Sequence, residues 1–144
     1  MQEEQLAEQA QRIQQTKNAA TAFLEANKTK KGVKITESGL QYLVIKEGEG
    51  DTPSVNDQVV AHYEGSLIDG TIFDSSYDRE PIQFRPGQVI KGWQEGIQLM
   101  KPGAIYQFFI PSELGYGDRD QGPIPGGSVL IFKVELISFT KETE

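Results

Sequence analysis

The stretch Val59-Val60-Ala61-His62-Tyr63-Glu64-Gly65-Ser66-Leu67-Ile68-Asp69-Gly70-Thr71-Ile72-Phe73 decides the fold. Val59, Ala61, Tyr63 and Leu67 alternate with Val60, His62, Glu64 and Ser66, the period-2 pattern of a half-buried strand. Asp69-Gly70 marks a tight hairpin turn, and Thr71-Ile72-Phe73 begins the return strand. Further strands flank this hairpin. Residues 40–45 form a β-rich run ending in the turn 46–50. Residues 82–84 make a short strand, 104–110 are apolar enough for a central one, and Leu130, Phe132, Val134 and Leu136 line one face of a last one. Residues 88–99 change period. Val89, Ile90, Trp93, Ile97 and Met100 recur every three or four positions, which predicts a short amphipathic helix ended by Lys101-Pro102-Gly103. One short helix among five or so strands predicts an α+β domain, with an antiparallel sheet packed on that helix.

N-terminal to this region the sequence changes character. All 15 glycines and all 7 prolines lie in residues 32–144, as do all aromatics but Phe23. Residues 1–31 carry four acids against five bases, and the remainder 17 against nine. Residues 1–28 are rich in Gln, Glu, Ala, Leu and Lys and predict a helix stopped at Gly32. Its apolar stripe, Leu6, Ala10, Ile13, Ala20 and Leu24, is thin and interrupted by Lys17. A stripe that narrow suits a seam, a spacer or a solvated tail. The expected organisation is a helical stalk or linker over 1–31 and a turn-rich, acidic domain over 32–144.

Composition removes several chemistries. The chain of 144 residues holds one ordinary domain. Its net charge of -7 argues against nucleic acid as a partner, since phosphate binding needs a basic face. With no cysteine and a single histidine, His62, thiolate, disulfide and multi-His zinc sites are excluded, and no metal or cofactor is expected. The first 20 residues lack the apolar run of about 7–15 residues that a signal peptide needs. No stretch approaches the roughly 20 apolar residues of a membrane span. This reads as a cytoplasmic protein or a mature or trimmed form.

Few local motifs survive scrutiny. Counting from Asp118, an EF-hand would need Gly and Glu where Pro123 and Val129 stand. Gly92 and Gly96 are spaced to let the short helix approach the sheet. Asn27-Lys28-Thr29 is a formal glycosylation sequon and nothing more. His62 falls on the strand face opposite Tyr63, as an ordinary strand residue. Asp74 stands apart from the other turn acids because it follows Phe73, which sets a carboxylate beside a large apolar group. Tyr63, Phe73, Trp93, Tyr116 and Phe132 come from five different elements. Tyr and Trp have polar tips that need partners when buried, so this set suits an apolar pocket with few polar groups. The loop 111–128 is too long for a mere connection and carries Leu114, Tyr116 and Ile124, which marks it as packed and functional.

Six motifs in order carry a resemblance. Val60-Ala61-His62-Tyr63-Glu64-Gly65, Leu67-Ile68-Asp69-Gly70, Phe73-Asp74-Ser75-Ser76, Val89-Ile90-Lys91-Gly92-Trp93, Leu114-Gly115-Tyr116-Gly117 and Leu130-Ile131-Phe132-Lys133-Val134-Glu135-Leu136 resemble the FKBP-type peptidyl-prolyl cis-trans isomerases over about residues 38–140. Thr36-Glu37-Ser38-Gly39-Leu40-Gln41-Tyr42 after a Gln/Ala/Lys-rich helix is similar to the bacterial Mip/FkpA-like branch. Members of that branch carry an N-terminal dimerisation domain on a long helix, and residues 1–31 are similar to the end of such a helix.

The resemblance implies a five- to six-stranded antiparallel sheet wrapped around one short helix, and an isomerase of Xaa-Pro bonds in unfolded or partly folded proteins, inhibited by macrolides such as rapamycin. It implies Asp74, Tyr116, Trp93 and Phe132 as catalytic residues, with Trp93 as the floor under the proline ring. Tyr63, Phe73, Arg79, Val89, Ile90 and Ile124 would bind substrate, Arg79 and Ile124 from the edge. The Tyr116 hydroxyl and the Ile90 N–H would donate to substrate carbonyls. Ile82 stands where many members have an aromatic. Gly126-Gly127 replaces a frequent proline, which suggests a looser loop beside an acidic rim over 118–122. The family branch implies the periplasm or cell envelope, and a native start at Met1 would imply the cytoplasm instead. The alternative function is a chaperone or client-binding module that grips clients with the N-terminal helix. Lys17 in the stripe favours a monomer, and a longer N-terminal domain would favour a homodimer.

Overall fold

The computed structural model describes residues 2–141, and among these it has two α-helices and seven strands. Helix α1 spans Gln2–Asn27. The strands are β1 (Val33–Ile35), β2 (Gln41–Lys46), β3 (Gln58–Ser66), β4 (Ile72–Ser75), β5 (Ile82–Phe84), β6 (Ile105–Ile110) and β7 (Leu130–Thr140). Helix α2, Lys91–Ile97, lies between β5 and β6 and follows a 3₁₀ turn at Pro86–Gln88. All strand pairs are antiparallel, in the order β1-β2-β6-β7-β3-β4, with β5 also paired to β3. Strand β3 divides its second edge between two partners. Val59 to Ala61 pair with β5, and Glu64 to Ser66 pair with β4. That split lets the sheet curl around α2.

The seventh strand is β1, which the sequence pattern did not single out. It is three residues long and is defined by backbone pairing of Val33, Lys34 and Ile35 to β2, not by an apolar face. Helix α1 also ends at Asn27, earlier than Gly32. Gly32 takes φ +88° in the turn that leads into β1.

The core lies between α2 and the sheet. Trp93, Ile97 and Met100 pack on Phe108, Ile110, Phe132, Val134 and Leu136, all buried. The glycines of α2 set the distance. A Cβ on Gly92 would stand 2.6 Å from Ile110 Cγ2, and one on Gly96 would stand 2.5 Å from Phe108 Cε1. Neither position accepts a larger residue without displacing the helix.

Helix α1 is seated on the domain through its second half. Ala20 and Asn27 are buried. Phe23 meets Phe109 with ring centroids 6.0 Å apart. Asn27 Nδ2 donates to Gln41 Oε1 at 2.8 Å, and Gln41 Nε2 donates to the Leu24 carbonyl at 3.0 Å. These bonds satisfy a buried amide pair that would otherwise cost about 1–3 kcal/mol per unpaired group. The second half of α1 is thus a seam against the sheet, while Leu6 and Ala10 near the start stay exposed.

Candidate active site

A cavity of about 600 Å³ opens between α2 and the curled end of the sheet. Trp93, from the first turn of α2, is its floor. The indole is 5% exposed and is touched edge-on by three rings: Phe132 at 5.2 Å and 90°, Phe84 at 5.3 Å and 61°, and Tyr63 at 5.4 Å and 78°. Phe73 meets Phe132 at 5.5 Å and 87°. Edge-to-face geometry is what ring quadrupoles favour, so the walls lock one another. The indole N–H is buried and finds no acceptor among the described residues.

Gly65 makes this packing possible. It lies one residue from the end of β3, where a Cβ would fall 2.6 Å from Phe73 and 2.7 Å from Phe132. The quoted motif contained Gly65, yet nothing in its spacing marked it as part of the site. Phe84, which wedges behind Trp93, was likewise not singled out.

Nine of the ten residues expected at the site line this one cavity. Tyr63, Phe73 and Asp74 come from the β3–β4 hairpin, Val89, Ile90 and Trp93 from the approach to α2, Tyr116 and Ile124 from the loop 111–128, and Phe132 from β7. Arg79 is not on the wall. It reaches Asp74 Oδ1 with Nη2 at 3.0 Å and the Ser75 carbonyl with Nε and Nη2 at 3.1 and 2.7 Å. Ile82 lines the cavity, as do Gln88 and Gln121 to Pro123, which no motif had marked. His62 lies on the other face of β3. It stacks on Tyr77 at 5.0 Å and pairs through Nδ1 with Ser76 Oγ at 2.9 Å.

Few polar groups face the cavity, and their states differ. Asp74 is fully engaged: Oδ2 accepts from the Tyr63 hydroxyl at 2.5 Å, and Oδ1 accepts from Arg79 and from the Ser75 N–H. Burial, and then the bond to Asp74, push the Tyr63 phenol above its ordinary pKa. The Tyr116 hydroxyl, by contrast, bonds to nothing among the described residues, and that residue is 37% exposed. The Ile90 N–H, at the start of α2, also has no acceptor there. The site therefore offers two free donors above an apolar floor.

The loop that carries Tyr116 and Ile124 is tied down, contrary to the looseness expected from Gly126-Gly127. Gly126 donates its N–H to Asp120 Oδ1 at 2.8 Å, and Gly127 donates to the Gly117 carbonyl at 2.8 Å. The acids of the rim are engaged too, Asp120 by this bond and Asp118 by Lys17. A second cavity, about 430 Å³, separates α1 from the β3–β4 hairpin tip and the far side of this loop, and none of the ten residues lines it.

The family model described as "FKBP-type peptidyl-prolyl cis-trans isomerase" matches residues 50–137, and a "Domain amino terminal to FKBP-type peptidyl-prolyl isomerase" matches residues 1–44. The chain belongs to the FKBP family. It is 52% identical over 123 residues to the "Peptidyl-prolyl cis-trans isomerase Mip" of Coxiella burnetii, an overlap of 84% of this chain and 54% of that protein. It is 44% identical over 137 residues to the "Outer membrane protein MIP" of Legionella longbeachae, covering 94% of this chain and 59% of the relative. The crystal structure of FkpA from Escherichia coli superimposes with a TM-score of 0.91 at 39% identity, covering 94% of this chain and 64% of that one. The FKBP chain thus spans about half the length of the curated relatives it matches. The amino-terminal match takes in α1, β1 and most of β2, so the helix that rests on the FKBP sheet falls within a recognised family segment.

Proposed function

We propose that this chain is a peptidyl-prolyl cis-trans isomerase acting on proline-containing protein segments. The observation that carries it is the aromatic cavity over Trp93, with two unengaged donors at its mouth, in a chain of the FKBP family. An Xaa-Pro bond rotates over a barrier of about 18–20 kcal/mol, because rotation breaks amide resonance. The planar amide is the more polar state, with partial charges on oxygen and nitrogen. A dry aromatic wall disfavours that state relative to the twisted one. Each tenfold acceleration needs about 1.4 kcal/mol of such differential binding.

The geometry supports the roles that the resemblance implies. Trp93 supports the proline ring, with Phe132, Phe73 and Tyr63 as walls. Val89, Ile82 and Ile124 complete the apolar rim. The Ile90 N–H and the Tyr116 hydroxyl hold carbonyls on either side of the rotating bond. Asp74, held by Tyr63 and Arg79, orients hydrogen bonding at the cavity edge and takes no part in proton transfer. Rotation about a C–N bond needs neither a nucleophile nor a base, which agrees with His62 standing on the opposite sheet face. Macrolides such as rapamycin would fill the same cavity.

The reading of α1 as a client-gripping arm is not favoured. Its second half is committed to the sheet, through Phe23 on Phe109 and Asn27 on Gln41. We place the isomerase unit from residue 32 onward, with 1–31 as a docked stalk. The relative named as an outer membrane protein supports a cell-envelope location. No helix among the described residues is long and apolar enough to cross a membrane.

A protease-coupled assay with an Xaa-Pro peptide tests the reading. Acceleration over the uncatalysed rate, abolished by rapamycin, is the expected result. No acceleration by the folded chain would overturn it.

A further inference from the structure

Tyr116 is followed directly by two anchor points that lead back to helix α1. Two residues after it, Asp118 takes the Lys17 ammonium, with Nζ 2.9 Å from Oδ1 and 3.0 Å from Oδ2. The residue between them, Gly117, accepts the Gly127 N–H on its carbonyl at 2.8 Å. Gly127 has φ +85° and lies against the helix. A Cβ there would stand 2.8 Å from Lys17 Cγ and 3.2 Å from the Ile13 carbonyl oxygen. Lys17 therefore meets this loop twice, with its charged head at Asp118 and its aliphatic stem at Gly127.

We propose that Lys17 is a positioning residue for the Tyr116 hydroxyl, acting through Asp118 and the Gly117–Gly127 bond from a helix outside the isomerase sheet. This rests on Tyr116 being a donor to substrate, as proposed above. The contact explains why a lysine interrupts the apolar stripe of α1: it faces the loop, not solvent alone. It also makes the helix part of the site's scaffold. A lysine 101 residues from its partner Asp118 in sequence fixes one of the two donors.

An exposed ion pair of this kind is worth a factor of about five at most. The test therefore reverses the charge with Lys17→Glu, which replaces attraction by repulsion. Steady-state kinetics of the full chain on an Xaa-Pro peptide should show KM raised about fivefold with kcat nearly unchanged, because a donor that holds the carbonyl throughout rotation contributes uniform binding. Adding Asp118→Lys should restore the wild-type KM. In a Tyr116→Phe background, Lys17→Glu should cost nothing further, since the hydroxyl it positions is gone. Hydrogen exchange gives a readout independent of turnover: the Gly127 amide should exchange faster in Lys17→Glu and recover in the charge swap. A wild-type KM in Lys17→Glu, or an equal loss in the Tyr116→Phe background, overturns the proposal. Unchanged Gly127 protection overturns it whatever the activity. If the wild-type chain fails to accelerate isomerisation, the isomerase reading falls by itself, and the exchange measurement still decides whether Lys17 holds the loop.

Discussion

The Tyr63 hydroxyl and the Asp74 carboxylate meet at 2.5 Å across the β3–β4 hairpin, and this bond sets the polar edge of an otherwise apolar cavity. The second carboxylate oxygen is held by Arg79 at 3.0 Å and by the Ser75 N–H at 2.9 Å. With three donors on two oxygens, Asp74 has one orientation. Its side chain is nevertheless 47% exposed, so its removal empties no core.

Asp74→Leu should therefore lower isomerisation about tenfold, the worth of a hydrogen bond to a charged group, while leaving the chain folded. Arg79→Ala should cost only about two- to threefold, because Arg79 meets the cavity only through Asp74 and their ion pair is exposed. The peptide assay, together with circular dichroism, checks both. Equal losses in the two variants would mean that Arg79 meets substrate directly.

Trp93 is the only tryptophan in the chain and forms the cavity floor, so its fluorescence reports the site without labelling. Filling the cavity excludes water from above the indole. Titration with rapamycin should shift the emission to shorter wavelength and saturate at one equivalent. Saturable binding with no change in emission would place the ligand elsewhere, for instance in the cavity beside α1.

The hairpin, α2 and the core strands were legible because each has a clean period, two in β3 and β7, and three to four around Trp93. Most of the cavity was legible because its aromatic walls, Tyr63, Phe73, Trp93, Tyr116 and Phe132, fall within the motifs that carry the family resemblance. What was hidden depended on contacts distant in sequence or on an absent side chain. Strand β1 has no alternation to read and exists through pairing with β2. Lys17 looked like a flaw in a stripe because its partner, Asp118, is in a loop far along the chain. Arg79 was placed at the edge by the resemblance, and it reaches the cavity through its bond to Asp74, with the Ser75 carbonyl holding it, without lining the cavity itself. Gly65 is informative only once Phe73 and Phe132 are seen to close over it.

Gly65→Ala follows from that last point. A methyl group 2.6 Å from the Phe73 ring must push one of the two rings aside. Overpacking of this kind costs about 1–3 kcal/mol. The variant should melt several degrees lower and lose isomerase activity more than stability, because the displaced rings are cavity walls. Wild-type turnover in a destabilised Gly65→Ala would show that the Phe73–Phe132 contact is structural only.

Alkaline pH should unfold the chain through its tyrosines. Burial first, and then the hydrogen bond to Asp74, raise the Tyr63 pKa above its ordinary 10.0. Burial raises Tyr77 as well, followed by the Glu135 carboxylate, and burial raises Tyr106, followed by Glu47. A phenol whose pKa is higher in the folded than in the unfolded chain keeps its proton longer in the native state. Stability is then intact below the unfolded value and is lost as pH rises through the folded one. At Tyr63 the loss has a structural form, since the phenolate would face Asp74 without the proton that joins them. The melting temperature should stay level to about pH 9 and fall above about pH 10. Tyr63→Phe should lower the plateau slightly, by loss of one hydrogen bond, and make the alkaline fall shallower. A fall as steep in Tyr63→Phe as in the wild type would assign the alkaline transition to Tyr77 and Tyr106, away from the cavity.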